Sequence, residues 1–224
     1  MAQKVARDGD APDTFDDFDG AGFDAFGGVR HTPPIPRTVS KAVRVLLGRL
    51  DAAERKHAAD VSFYAMMICE TLDVPPAQMR LIVTAAMLHD IGKVAIPEAQ
   101  RIHPGDLTAY ELANMRTHPE IGEAMASVHP VLLPYAPFIR HHHERYDGDG
   151  YPDGLRGPAL PFGASVLAVA EAFATMITEQ SYRPALAWHE AIAEVRRGSG
   201  SQFHPTAARG FLTHLGEIPA AALR

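Results

Sequence analysis

Apolar residues recur three and four positions apart along most of the chain after Thr38, which is the spacing of amphipathic helices. Pro75 and Pro76 interrupt the first of these stretches, and a later helix is predicted to open at Thr108 and to end or kink at Pro119. The predicted helices cover residues 40–72, 77–89, 108–119, 131–143, 164–179, 187–197 and 205–214. Because no alternating stretch of useful length is present, the pattern predicts an all-α fold.

Residues 1–36 have a different composition, rich in Asp, Gly and Phe. Such a segment buries too little apolar surface to offset the entropy of ordering it, so it is predicted to be a disordered acidic tail. A docking arm, whose Phe side chains insert into a partner or a second subunit, is the alternative. Pro33, Pro34 and Pro36 form a stiff linker, so the folded domain is predicted to span 37–224.

The composition of 46% apolar and 21% charged residues is typical of a soluble globular protein. A net charge of −6 argues against a surface for duplex nucleic acid, although a small anionic ligand stays compatible with it. Cys69 is the one cysteine and is interpreted as a buried thiol. No apolar run predicts a membrane span or a signal peptide, so a cytoplasmic location is expected.

The strongest chemical signal is the pair His89-Asp90 at the end of an apolar helix. Imidazole suits a divalent transition metal, and an adjacent carboxylate can bridge two metal ions. Taken alone, the pair is also compatible with a capped helix end that carries a solvated His-Asp. Further candidates are His57 upstream, His118 in MRTH, and the run HHHE at 141–144 that leads into RYDGDGYPDG.

The DGDGYPDG segment has the Asp and Gly content of a calcium-binding EF-hand loop. Such a loop requires Gly at its sixth position and Glu at its twelfth. Counting from Asp147 places Pro152 and Pro158 there, which excludes this interpretation.

Together, HDIGK, the histidine in MRTH, and HHERYDGDGYP resemble the HD-GYP family of bacterial signalling phosphodiesterases. The resemblance runs from about His57 to Pro205 and includes LPFGASVLAVAEAF and GSGSQFHP. It implies an HD-type bundle of about seven helices around a dinuclear metal site. It also implies hydrolysis of cyclic di-GMP to linear pGpG or GMP.

Carried over residue by residue, the resemblance places one metal ion on His57, His89, Asp90 and Glu171, and a second on Asp90, His118, His142 and His143. Asp90 would bridge the two ions, which are expected to be iron or manganese. His89, Asp90 and Lys93 are the candidate catalytic residues, with Lys93 contacting a substrate phosphate. The signature loop, Gly150, Tyr151 and Pro152, is associated in the family with ligand or partner contacts.

Three departures from the family pattern affect the site. Glu171 stands where the family has Asp, which lengthens a predicted ligand by one methylene. Ala174 and Gln180 replace an Asp and an Arg, so Arg183 is the predicted replacement for the lost phosphate donor. Ala53 occupies the position of the Glu that holds a third metal ion, so two ions are expected, although Glu54 on the same helical face leaves a third open.

Two other functions stay open at this stage. The first is a catalytically weak module that binds the ligand or a diguanylate cyclase domain, and the second is an HD hydrolase of another phosphate substrate. A homodimer also stays open. Tyr146 and Tyr151 are candidates for stacking on guanine, and the role of His141 is undecided.

Overall fold

The computed structural model of the protein describes residues 37–101, 105, 107–179 and 184–216. The predicted tail at 1–36 and the positions of Gln180 and Arg183 lie outside the described residues, so the expectations for them stay predictions. Within the described ranges the regular structure is helical, and the one β-contact is an isolated bridge between Ser199 and Phe203. The prediction of an all-α fold is confirmed.

The described residues form ten α-helices, and seven of them have ten residues or more, in agreement with the expected bundle. In chain order they are α1 (Arg37–Leu47), α2 (Ala52–Thr71), α3 (Pro76–Leu88), α4 (Glu98–Arg101), α5 (Ala109–Met115), α6 (His118–Ser127), α7 (Ala136–His141), α8 (Phe162–Met176), α9 (Trp188–Gly198) and α10 (Pro205–His214). Short 3-10 turns cover Ile91–Ala95, Pro130–Tyr135 and Gly157–Ala159.

Several predicted helix boundaries are wrong. The stretch 40–72 is divided, because Asp51 starts α2 with a capping box: its carboxylate accepts from the N–H of Glu54 at 2.8 Å, and the Glu54 carboxylate accepts from the N–H of Asp51 at 3.0 Å. Pro119 neither kinks nor ends α5; it lies in the first turn of α6, where no N–H is needed for the helix.

The helix predicted over 131–143 is also divided. The 3-10 turn Pro130–Tyr135 contains Pro134, and α7 begins only at Ala136. By contrast, the predicted start at Thr108 is confirmed, with Glu111 completing a capping box. Local capping chemistry was therefore a better guide than apolar spacing alone.

The core lies where α2 packs against α3, α8 and α10. Its centre is an aromatic cluster in which the Phe173 ring lies 5.0 Å from Tyr64 and 4.6 Å from Phe211, centre to centre. Phe173 and Phe211 are fully buried, which stabilises the fold by about 1.5–3 kcal/mol for each such side chain. None of the described helices combines the length and the apolar character that a membrane span requires.

A close contact between Gly92 and α6 fixes the geometry on which the site depends. A Cβ atom at Gly92 would lie 2.0 Å from the carbonyl oxygen of His118 and 2.7 Å from the backbone N of Gly122. Only glycine permits this approach. The turn that follows His89-Asp90 is thereby held directly against the first residue of α6.

Candidate metal centre

Three buried histidines at helix ends are oriented by the same local device. The Nδ1–H of each ring donates to the backbone carbonyl three residues earlier, so each Nε2 keeps its lone pair and faces the centre. The three pairs are His89 with Ala86 at 2.7 Å, His118 with Met115 at 2.8 Å, and His142 with Ile139 at 2.6 Å. The three histidines are therefore held in the tautomer whose Nε2 atom can bind a metal ion.

Asp90 lies at the middle of the cluster. Its Oδ2 is 3.2 Å from Nε2 of His89 and 3.8 Å from Nε2 of His57, and its Oδ1 is 3.3 Å from Nε2 of His118. The ammonium of Lys93 donates to Oδ2 at 2.6 Å. One carboxylate thus contacts both predicted halves of the site, as a bridging ligand would.

Glu171, on α8, faces the same centre. Its Oε2 is 3.9 Å from Nε2 of His142, and its Oε1 is 3.7 Å from Nε2 of His143. The Nε2 atoms of His118 and His142 are 3.2 Å apart. The predicted ligands therefore come from α2, α6 and α8 and from the residues that directly follow α3 and α7, and all of them converge.

Burial keeps most of these imidazoles neutral. It lowers the pKa of His118 to about 3 and that of His142 to about 4, and it also lowers the pKa values of His57 and His143. At His89 burial acts in the same direction, but the Asp90 carboxylate outweighs it and raises the pKa.

Asp90 itself stays ionised. Burial would raise its pKa, but the neighbouring His89 and Lys93 lower it well below the usual value. A neutral imidazole and an ionised carboxylate are the forms that bind a metal ion.

The donor set fits divalent metal ions. The ligand atoms within each of two groups lie within 4.8 Å of one another, and these groups are His118, His142 and His143, and His89, Asp90, His142 and Glu171. Within the described part of the chain, buried Nε2 of His89 and buried Oδ1 of Asp90 have no hydrogen-bond partner. Such atoms are costly unless something satisfies them, and an imidazole-carboxylate set suits a transition metal.

The cluster has a floor and a rim. The floor consists of His89, Asp90, His118 and His142, whose side chains are 0–3% exposed. The rim consists of His57, Lys93, His143 and Glu171, whose side chains are 13–25% exposed. His57 belongs to neither compact group; it reaches the cluster through Asp90 and through its ring, 5.4 Å from that of His89.

The signature loop is tied to the cluster by Tyr151. Its ring stacks on His143 at 4.8 Å between ring centres and an angle of 23°, and its N–H donates to the His143 carbonyl at 3.3 Å. At Gly150 a Cβ atom would lie 2.3 Å from the backbone N of Arg145, so this glycine permits a close backbone contact. Gly150 thus has a packing role, and its contact with a ligand, like that of Pro152, stays a prediction.

Glu144 is a functional residue that sequence reasoning missed. It is buried, and its carboxylate accepts from the N–H groups of Asp153 at 2.6 Å and Leu155 at 3.0 Å, which anchors the signature loop. Its position directly after three histidines was the available signal. His141 turns away from the centre, because its Nε2 lies 2.8 Å from Oδ2 of Asp153.

A cavity of about 420 Å³ opens beside the cluster. Its wall includes three predicted ligands together with apolar and polar residues of α8 and the 199–203 turn, namely His142, His143, Glu171, Thr175, Met176, Gln202 and Phe203. Its volume lies in the range of small-molecule sites. Tyr146, a stacking candidate from the sequence, instead packs edge-on against His204, 5.1 Å between ring centres.

Comparison with known proteins agrees with this geometry. Residues 41–207 match the family model described as an HD domain. The cyclic di-GMP phosphodiesterase response regulator RpfG of Xanthomonas campestris is 36% identical over 170 residues, which are 75% of this chain and 45% of that protein. A cyclic di-GMP phosphodiesterase of Thermotoga maritima is 34% identical over 164 residues, which are 72% of this chain and 45% of that protein. The chain thus spans less than half the length of these relatives.

Among solved structures, an HDGYP protein from Bdellovibrio bacteriovorus has a TM-score of 0.62 and 18% identity, with 80% of this chain and 62% of that chain covered. The HD domain of the phosphodiesterase PgpH from L. monocytogenes, in complex with cyclic-di-AMP, has a TM-score of 0.52 and 13% identity, with 80% and 97% covered. At these identities the structures establish a common fold. With its matched family model, its similarity to RpfG and its HDIGK and GYP motifs, this chain belongs to the HD domain family, in the HD-GYP group.

Proposed function

We propose that this domain is a metal-dependent phosphodiesterase that hydrolyses cyclic di-GMP. The observation that carries the proposal is the convergence of neutral Nε2 atoms on two carboxylates, Asp90 and Glu171. The proposed ligands are His57, His89, Asp90 and Glu171 for one divalent ion, and Asp90, His118, His142 and His143 for the other. Iron or manganese is the expected metal, since the set is rich in imidazole.

Relatives named for this activity support the choice of substrate, at 34–36% identity over most of this chain. In the proposed reaction a water oxygen bonds to phosphorus and the bond to the ribose O3′ breaks, which gives linear pGpG. A second hydrolysis gives GMP. When bound, the metal ions stabilise negative charge on the phosphoryl oxygens and lower the pKa of water.

The protein supplies orientation and charge. Burial would lower the pKa of Lys93, but Asp90 and Glu171 outweigh it and raise the pKa, so the ammonium is charged at neutral pH. Its position on the rim, 2.6 Å from Asp90, suits a contact with a substrate phosphate held by the metal ions that Asp90 would ligate. The floor histidines hold their Nε2 atoms in place before any ligand arrives.

The full chain, supplied with Mn²⁺ or Fe²⁺, should convert cyclic di-GMP to pGpG or GMP, which nucleotide chromatography separates. Replacement of floor residue His89 by Ala should abolish conversion. The matched control is His189→Ala, which removes an exposed histidine of α9. Since other relatives are named 3′3′-cGAMP-specific phosphodiesterases, 3′3′-cGAMP and cyclic di-AMP should be assayed in parallel.

Two results would overturn the proposal. Binding of cyclic di-GMP without hydrolysis would indicate a ligand-binding module. Hydrolysis confined to other phosphate compounds would indicate a different HD hydrolase. A diguanylate cyclase partner, a homodimer and a cytoplasmic location stay predictions of the sequence.

A further inference from the structure

Several cations near the metal cluster are already bound to carboxylates. Lys93 donates to Asp90 at 2.6 Å, and the guanidinium of Arg101 is paired with Glu54. Arg140 holds Asp153 through two bonds of 2.7 and 2.8 Å, and also contacts Glu123. Each of these cations therefore has its charge balanced within the protein.

Arg116 differs from them. It follows the last residue of α5, two positions before floor residue His118, and its side chain is exposed. Its guanidinium has no carboxylate or carbonyl partner within the residues that the structure describes, and its carbon Cζ lies 5.3 Å from the centre of the Tyr151 ring. All of its side-chain N–H donors are thus available to a ligand.

The ring beneath Arg116 is held at the rim of the metal centre. Tyr151 stacks on His143, and Glu144 anchors the backbone of the loop on the far side of Pro152. A cation over an aromatic face is attracted by the ring, so Tyr151 keeps the guanidinium near the cluster without neutralising its charge. Arg116 is thereby a free positive charge beside a predicted metal ligand.

Resting on the proposed function, we infer that Arg116, supported on Tyr151, binds the second phosphate of the cyclic dinucleotide, the one that does not react. A cyclic dinucleotide carries two phosphodiesters, and the metal centre can act on only one of them at a time. The other phosphate needs a donor outside the cluster. A guanidinium matches phosphate with two parallel N–H···O bonds, which a lysine cannot reproduce.

The inference is tested with Arg116→Ala and Arg116→Lys in the full chain. Arg116→Ala should raise the KM for cyclic di-GMP in Mn²⁺ by roughly 10- to 100-fold, as expected for losing bonds between a charged donor and phosphate, while kcat changes little. The Kd of the metal-depleted protein for cyclic di-GMP, measured by calorimetry, should rise in parallel. Arg116→Lys should have KM and Kd values between those of the parent and those of Arg116→Ala, because lysine keeps the charge but cannot form the two parallel bonds to phosphate.

The control is Arg49→Ala, which removes an exposed cation of the turn after α1 and should change neither constant. Metal content, measured for every variant, identifies damage to the neighbouring His118. If the parent hydrolyses cyclic di-GMP and Arg116→Ala has the same KM and Kd, the inference is wrong while the proposed function stands. Loss of metal in Arg116→Ala would instead assign the residue a structural role. A parent that neither binds nor hydrolyses cyclic di-GMP would overturn both.

Discussion

The floor and the rim of the metal centre contain the same residue types but hold them differently. On the floor, His89, His118 and His142 each donate from Nδ1 to a carbonyl of their own helix or turn, at 2.6–2.8 Å. On the rim, the Nδ1 atoms of His57 and His143 have no such partner among the described residues, and their side chains are about one quarter exposed. The floor histidines are therefore oriented by backbone hydrogen bonds, whereas the two rim histidines lack that restraint.

This difference explains where the chain can depart from its family. A ligand on the rim can adjust its rotamer at small cost, whereas a floor ligand cannot move without breaking a buried hydrogen bond. Glu171, the one predicted ligand whose residue type differs from the family pattern, lies on the rim. We therefore interpret the extra methylene of Glu171 as tolerated because the side chain lies on the partly exposed rim.

The largest expected effect comes from comparing His89→Ala with His57→Ala. The parent should bind about two metal ions per chain, His89→Ala close to none, and His57→Ala about one. The reason is that His89 is fully buried and lies nearer than His57 to Asp90, the carboxylate proposed to bridge the two ions. Elemental analysis after gel filtration measures this, with His189→Ala as the control. Equal metal loss in both variants would contradict the distinction between floor and rim.

A somewhat smaller effect is expected at Glu171. Glu171→Ala should cost one metal ion and abolish hydrolysis, whereas Glu171→Asp should keep or raise the activity, since the family site is built around the shorter carboxylate. Metal content and turnover of cyclic di-GMP check both changes. If Glu171→Asp lowers the turnover, α8 is positioned for glutamate. If Glu171→Ala leaves the metal content unchanged, Glu171 is not a metal ligand.

The metal-free domain should lose stability on acidification from pH 7 to pH 5. The native pKa values of His118 and His142 are about 3 and about 4, below the 6.5 of an unfolded histidine, so the unfolded chain takes up more protons in this range. Relative to pH 7, each of these two imidazoles should lower the free energy of unfolding at pH 5 by ~2 kcal/mol. The raised pKa of His89 has the opposite effect and offsets part of this loss.

Thermal unfolding in EDTA at the two pH values measures the effect. His142→Asn should reduce the pH dependence because it removes one of the titrating groups. A melting temperature that does not change between pH 7 and pH 5 would mean that the buried histidines are hydrated in the metal-free protein.

The smallest effect is expected for Lys93→Met, which keeps much of the side-chain stem and removes the charge. Because an ammonium cannot be a metal ligand, the metal content should equal that of the parent. The affinity for cyclic di-GMP or its turnover should fall on the order of tenfold, as for one charge-assisted bond to phosphate. If Lys93→Met handles cyclic di-GMP as the parent does, the lysine serves only to pair with Asp90.

The sequence by itself determined the helical class and the capping box at Thr108, because these depend on local spacing and on the chemistry of single side chains. The predicted metal ligands came from the resemblance of its motifs to the HD-GYP family. The break between α1 and α2 was missed because apolar spacing continues across that turn, although the capping-box pair Asp51 and Glu54 is readable in the sequence. Pro119 was misread for a similar reason, since a proline suits both the end of one helix and the start of the next.

Only the tertiary structure decided which of the predicted ligands are fully buried and which are partly exposed. Asp90 contacts His57, His89 and His118 because Gly92 lets the turn lie directly against α6. The contact of Arg116 with Tyr151, and those of Glu144 with the signature loop, likewise exist only because that loop packs against His143. Such contacts join residues from separate helices, and their distances depend on how those helices pack, which no local pattern encodes.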